Sequence, residues 1–295
     1  REPVWNLSMN SAGLYVDFYT NSPTVEVKYE VEGELAFPHM PATGVSGVDL
    51  YALEKPGNWL WVRGNYHFGD TISYNFSGFK SNLADNLRYF RLYLPLYNRV
   101  KWLKIGTDSD ATIRNIDSES KQKPIVVYGT SIAQGACASR AGMAWSNILE
   151  RKMDRQVINL GFSGNGRLEP EIIDFISELN ASVYILDCMA NFGSGKELGP
   201  EEAKKRLKQA IIDIRKKHPD TPILIVEHAG YSDGEVQPSR FQTYSDLNVA
   251  TDEVFHELIE EKVPAIYLLK REDIGLGIDS FVDGTHPNDY GMLQY

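Results

Sequence analysis

Cysteine is nearly absent: 295 residues contain two, Cys137 and Cys188. Two thiols make no disulfide scaffold and show no zinc-ligand spacing. Free, partly buried thiols are expected, with a Cys137–Cys188 disulfide as the alternative, because both fall near strand ends. Long apolar runs are missing too. None approaches the ~20 residues that cross a bilayer, and no signal peptide is visible, although a chain beginning at Arg1 is compatible with a removed leader. Basic residues are in deficit, 30 against 40 acidic, for a formal charge of −10. That argues against nucleic acid and anionic membrane as general partners, leaving only a local basic groove open. There is no internal repeat or low-complexity tract. Gly129 to Gly135 lacks the Gly-Lys-Ser/Thr ending of a phosphate-binding loop, and neither a cofactor nor a metal is called for.

What is present falls into two halves, as expected for a chain longer than one core usually organises. From residue 11 to about 106 the pattern is β throughout. Leu14 to Tyr19 and Thr24 to Val31 alternate polar and apolar residues, as in strands with one wet face. Five further strands are predicted: Asp49 to Leu53, Trp59 to Val62, Thr71 to Phe76, Leu87 to Leu94 and Val100 to Ile105. Turn chemistry at Asn21-Ser22-Pro23, Lys55-Pro56-Gly57-Asn58 and Tyr97-Asn98-Arg99 separates several of them. Short strands at this spacing indicate a β-sandwich or jelly roll. The polar stretch from about Asp108 to Lys123 is the predicted boundary, giving domains 1–118 and 119–295.

Beyond it strands alternate with helices. Ile125 to Tyr128, Val157 to Leu160, Val183 to Asp187, Ile223 to Val226 and Ala265 to Leu269 are apolar. Pro170 and Pro200 suit first helical turns, and Lys204 to Lys217 ends in a basic cluster that complements a helix dipole. Such alternation predicts a doubly wound parallel sheet, whose chemistry gathers at the strands' carboxyl ends.

Polar residues do collect at those ends. Gly129-Thr130-Ser131 follows the first parallel strand, where a serine is either a helix cap or a nucleophile. Asn159 to Gly166 follows the second, with three glycines able to aim a backbone N–H into a cleft. Cys188-Met189-Ala190-Asn191 follows the third. Asp283-Gly284-Thr285-His286-Pro287 follows the fifth, where an Asp three residues before a His can accept its Nδ1 proton and leave Nε2 for a serine. Each element alone has a structural explanation; their order is what points to acyl transfer.

Together these blocks resemble the SGNH (GDSL-type) hydrolase superfamily. Gly129-Thr130-Ser131 stands where the family has Gly-Asp-Ser, which implies that Ser131 is the nucleophile. Gly164 matches the second-block glycine whose N–H is an oxyanion donor, leaving Gly161 structural. Asn191 matches the Asn of the Gly-x-Asn-Asp block, although Met189-Ala190-Asn191-Phe192 keeps only the Asn. Asp283 and His286 match Asp-x-x-His-Pro. Gly47-Val48-Asp49-Leu50-Tyr51 resembles the Gly-x-Asp-Leu-Tyr motif of a β-rich domain that precedes such hydrolases in a bacterial subgroup. The resemblance implies a flavodoxin-like parallel sheet flanked by helices behind an all-β domain. It also implies a serine esterase with triad Ser131, His286 and Asp283 and an oxyanion hole of Ser131, Gly164 and Asn191. The expected substrate is a small-molecule or glycan ester, acetylated carbohydrate first, and the expected location is outside the bacterial cytoplasm.

Two other functions use the same chain: an acyltransferase with identical residues, and a carbohydrate-binding protein with an inert second domain. The α/β-hydrolase elbow Gly-x-Ser-x-Gly is excluded by Ala133. Glu227-His228 is expected to be structural, His218 and His256 to lie at the surface, and Asp279 and Asp289 not to hold metal. Arg140 and Arg167 are surface arginines or contacts to an anionic or polyhydroxyl substrate. Trp59, Trp61, Tyr66 and His67 form either core or a sugar-stacking surface.

Overall fold

A computed structural model describes residues 1–79, 87–116 and 122–295, so the boundary placed at 118/119 lies outside the described residues. A short helix, α1 (Glu2–Ser8), precedes the strands. The first half then forms two antiparallel sheets. The inner sheet holds β1 (Tyr15–Thr20), β3 (Asp49–Lys55), β4 (Asn58–Val62), β7 (Arg88–Tyr93) and β9 (Ile113–Asn115), in the order β4-β3-β7-β1-β9. The outer sheet holds β2 (Thr24–Val31), β5 (Asn65–His67), β6 (Ile72–Ser77) and β8 (Val100–Gly106), in the order β5-β6-β2-β8. A single helical turn, α2 (Ala42–Val45), precedes β3.

Alternation along the inner strands explains why the two halves adhere. Phe18, Leu50, Ala52, Phe90 and Leu92 point outward, into a core shared with Val25, Val27, Tyr29, Ile72 and Phe76 of the outer sheet. The residues between them face the other way. Tyr51 and Tyr93 join the core of the second half, and the Arg91 guanidinium holds Asp17 through two hydrogen bonds of 2.8 Å and Glu150 at 2.8 Å. The expectation of one wet face therefore fails for the middle of this sheet. Its second face carries tyrosines and a paired arginine because another domain covers it.

The second half is a parallel sheet with strands β10 (Ile125–Gly129), β11 (Val157–Gly161), β12 (Val183–Asp187), β13 (Ile223–Val226) and β14 (Ile266–Leu269), in the order β11-β10-β12-β13-β14. Helices α3 (Ser131–Gln134), α4 (Trp145–Met153), α5 (Pro170–Ile176), α6 (Pro200–Lys217), α7 (Pro238–Glu260), α8 (Arg271–Ile274) and α9 (Asp289–Gln294) surround it. Pro170 and Pro200 stand in first turns as expected. β10 is buried throughout, as a central parallel strand must be. The chain leaves β10 to one side for β11 and returns to its other side for β12. That makes the carboxyl end of β10 the switch point of the sheet, where a crevice opens. Ser131 stands there.

Two features depart from the pattern read in the sequence. The polar stretch after Asp108 contains β9, which pairs with β1. The first residues belong with the second half: Val4 of α1 is buried in the α/β core, and the Arg1 guanidinium donates to the Asn165 carbonyl at 3.1 Å.

Candidate active site

Ser131 is the first residue of α3, and Thr130 is its N-cap, the Thr130 hydroxyl accepting the Ile132 N–H at 3.2 Å. The capping that a strand-end serine often performs thus falls to its neighbour, and the Ser131 hydroxyl is free for other work. Its Oγ lies 2.8 Å from His286 Nε2. On the other side of the imidazole, Nδ1 lies 2.7 Å from Asp283 Oδ2. Asp283 Oδ1 accepts the backbone N–H groups of Thr285 at 3.0 Å and His286 at 2.8 Å. Burial works to raise the Asp283 pKa, but the bonds from the His286 ring and from these two N–H groups outweigh it and hold the carboxyl below its ordinary value. The carboxylate stays ionised and fixes the tautomer that leaves Nε2 able to accept a proton.

The loop carrying Asp283 and His286 is a closed excursion. Val282 N–H donates to the His286 carbonyl at 2.9 Å, and Phe281 bridges Pro287. Arg240 of α7 donates to the Gly284 carbonyl at 3.2 Å and the Thr285 hydroxyl at 3.0 Å. Asp289 accepts the Ser139 N–H at 2.8 Å, joining the start of α9 to the segment after α3. Arg240 is 46 residues upstream of His286, and nothing local in the sequence marks it as this loop's support.

The oxyanion side is built by the loop after β11. Ser163 N–H donates to Gln134 Oε1 at 3.0 Å, and the N–H groups of Asn165 and Gly166 both donate to the Phe162 carbonyl. Gly164 stands between them at φ +65° with open space where a side chain would project. Its N–H has no acceptor among the described residues. Gly161 is glycine for a different reason: a Cβ there would lie 2.2 Å from the Gln134 nitrogen, so its bareness lets α3 pack on β11. Asn191 Nδ2 lies 3.1 Å from the Gly166 carbonyl and 3.3 Å from that of Phe162. The amide therefore ties down the Gly164 loop, and both of its hydrogens already have acceptors.

The remaining candidates are dispersed. Arg140 is held in the domain interface by Asp49 and Tyr51, at the edge of a cavity that Trp61 and Tyr66 also line. Arg167 turns its backbone N–H to Tyr128 and Glu169. His228 is buried and accepts the Gly230 N–H, and burial followed by the nearby Arg240 and Arg271 charges pushes its pKa down to about 3, so it stays neutral. His218 is half-buried, its Nε2 2.8 Å from the Ser177 carbonyl, and His256 is exposed beside Asp252. Asp279 is exposed. Trp59 packs on Tyr89, whereas Trp61 and Tyr66 are half-exposed and His67 is exposed. Cys137 and Cys188 are free and buried. Burial, followed by the Asp283 charge, pushes the Cys137 thiol up to about 12.

The chain is similar to known proteins in sequence and in fold. A sequence model of the GDSL-like lipase/acylhydrolase family matches residues 122–295, and one for the N-terminus of SGNH-hydrolase-type esterases matches residues 1–113. A GDSL-like lipase from Bacteroides ovatus superimposes with a TM-score of 0.89 at 35% identity, covering 100% of this chain and 84% of that one. A salicylyl-acyltransferase from a tetracycline biosynthetic pathway gives a TM-score of 0.75 at 19% identity, covering 99% and 82%. A family two carbohydrate esterase from Clostridium thermocellum gives 0.61 at 14%, covering 95% and 87%. The last two likenesses show the fold alone. No curated protein matches the chain.

Proposed function

The chain belongs to the GDSL-like lipase/acylhydrolase family and is an ester hydrolase; on that premise we propose that it removes small acyl groups, acetyl first, from carbohydrate, with Ser131, His286 and Asp283 as its triad. The observation that carries this reading is the unbroken line from Ser131 Oγ to His286 Nε2 and from Nδ1 to Asp283. Ser131 attacks the ester carbonyl while His286 takes its proton, and Asp283 stabilises the imidazolium. The tetrahedral oxyanion is met by the N–H groups of Ser131 and Gly164, with the Asn191 amide as third donor. Both Asn191 amide hydrogens now meet carbonyls, those of Gly166 and Phe162, so in this role one of them turns to the oxyanion. His286 then passes its proton to the leaving alcohol, and water repeats the sequence on the acyl-enzyme.

A carbohydrate target is supported by a cavity of about 500 Å³ between the two halves, lined by Trp61, Tyr66, Arg63 and Arg140. Exposed indole and phenol faces suit sugar rings, and the cationic groups suit hydroxyls. The carbohydrate esterase of similar fold adds to this reading. An exported location fits a glycan substrate.

Acetate release from a panel of acetylated oligosaccharides tests the proposal. Ser131→Ala is expected to lose more than ~10⁴-fold in kcat and all labelling by a fluorophosphonate; near-native activity in that variant would exclude Ser131. Asn191→Ala is expected to lose ~10²–10³-fold in kcat with the fold retained. Repeating the assay with added acceptor alcohols separates hydrolysis from transfer, because a transferase diverts acyl product to the alcohol.

A further inference from the structure

Two side chains outside the triad, His39 and Cys137, gather around one of its members, Asp283. His39, from the loop between β2 and α2 in the first half, stacks on His286 with ring centroids 6.0 Å apart. Cys137, just beyond α3, is buried and donates through its thiol to the His39 carbonyl at 3.5 Å. Asp283 closes the group. A ring nitrogen of His39, the Cys137 sulfur and a carboxylate oxygen of Asp283 all lie within 4.8 Å of one another.

We propose that His39, Cys137 and Asp283 bind a thiophilic divalent cation of the zinc class, and that its binding inhibits the enzyme. Thiolate, imidazole and carboxylate together are a donor set for zinc rather than magnesium or calcium. Bonds of about 2.0–2.3 Å bring such donors to roughly 3.5 Å from each other, so the three donors draw in from within 4.8 Å, and Asp283 shares with the ion a carboxylate that now bonds the His286 ring. Three separate segments converge here. One of them is held in a costly conformation, since Cys137 is a non-glycine residue at φ +68°. Such strain persists where surrounding structure fixes it. His39 and Asp283 are exposed on the open side, giving a hydrated ion its way in.

Binding replaces waters on the ion with the three side chains. The Cys137 thiol gives its proton to solvent as the sulfur–metal bond forms. Inhibition follows from Asp283: its charge, which supports the imidazolium on His286, is then shared with a dication.

The inhibitory part rests on the triad reading; the binding part does not, and the experiment separates them. Metal-free protein, full chain, is titrated with Co²⁺ and followed for thiolate-to-cobalt charge-transfer absorption. One equivalent is expected to raise the band in the wild type and none in Cys137→Ala, where the buried Cys188 remains as an internal control. Cys137→Gly, suited to the left-handed backbone, serves if the alanine variant misfolds. No band in the wild type, or an equal band in the variants, overturns the site. Zn²⁺ is then titrated into the esterase assay. Its inhibition midpoint is expected to rise roughly 10–100-fold in Cys137→Ala and His39→Phe, with basal activity kept in Cys137→Ala. Equal inhibition of wild type and variants overturns the inhibitory role, and a wild type that gives the band but takes no fluorophosphonate label refutes the triad reading alone.

Discussion

Thr130 and Ser131 divide two tasks that one serine could perform, and the division was half legible. The sequence placed a serine at a strand end but offered capping and catalysis equally; only the geometry shows Thr130 as the cap. Asp283 and His286 were readable because their contact is three residues long. Asn191 was readable as a polar residue at the right strand end, yet its present bonds to the Gly166 and Phe162 carbonyls depend on how two loops meet. Asp187 was not legible at all. It ends β12, 2% exposed, with Tyr295 donating to one carboxylate oxygen and no partner for the other among the described residues. Burial lifts its pKa to about 7 against the partial offset of the Tyr295 bond. An acid whose pKa is raised by folding favours the fold while protonated. That contribution is complete below its unfolded pKa near ~4 and is lost as pH climbs to about 7. Asp187→Asn, always neutral, lacks this loss. Thermal melts at pH 5 and pH 8 should show the variant gaining on the wild type at the higher pH, by roughly 3 kcal/mol at most, since only the part of the rise between pH 5 and about 7 falls between the two melts. A pH-independent difference would show that the buried acid does not titrate in this window.

At the scale of elements, β3 joins the halves. Leu50 enters the sandwich core, while Asp49 and Tyr51 turn to the α/β domain. Asp49 accepts from the Gly142 backbone at 2.9 Å, from the Trp61 indole at 2.6 Å and from the Arg140 guanidinium. Tyr51 carries the Arg151 guanidinium 4.1 Å above its ring. The Gly-x-Asp-Leu-Tyr motif was visible in the chain, but its purpose was not, because Arg140 and Gly142 lie some 90 residues away. Local pattern also could not find β5 and β9, three-residue edge strands exposed along their length; such strands exist through pairing, with no alternation to announce them. Removing the Asp49 carboxylate strands Arg140 and two further donors. Asp49→Ala should cost about 3–5 kcal/mol in urea denaturation, with Asp49→Asn intermediate. A loss within 0.5 kcal/mol, the ordinary scatter of surface changes, would count against an anchoring role.

Across the whole molecule, one apolar cluster ignores the domain division. Tyr51, Tyr93 and Leu96 from the first half pack with Val127, Ile132 and Trp145 from the second, and a smaller cluster joins Met40 and Val45 to Ala136 and Cys137. Contacts of this kind couple the two stabilities. Calorimetry should record one transition whose van't Hoff and calorimetric enthalpies agree, and two resolved peaks would show that the interface is weaker than its burial implies. The family resemblance foresaw both folds but not this joint core, since complementary faces on different layers leave no common period in the sequence.

The placement of α1 has a mechanical consequence. Val4 sits in the α/β core, as do Met292 and Tyr295 on the opposite face of the same sheet. A pulling force applied at residues 1 and 295 therefore grips one domain at both attachment points. The sandwich, though it occupies the intervening chain, carries no tension until α1 tears loose. Under load it behaves as slack behind a latch.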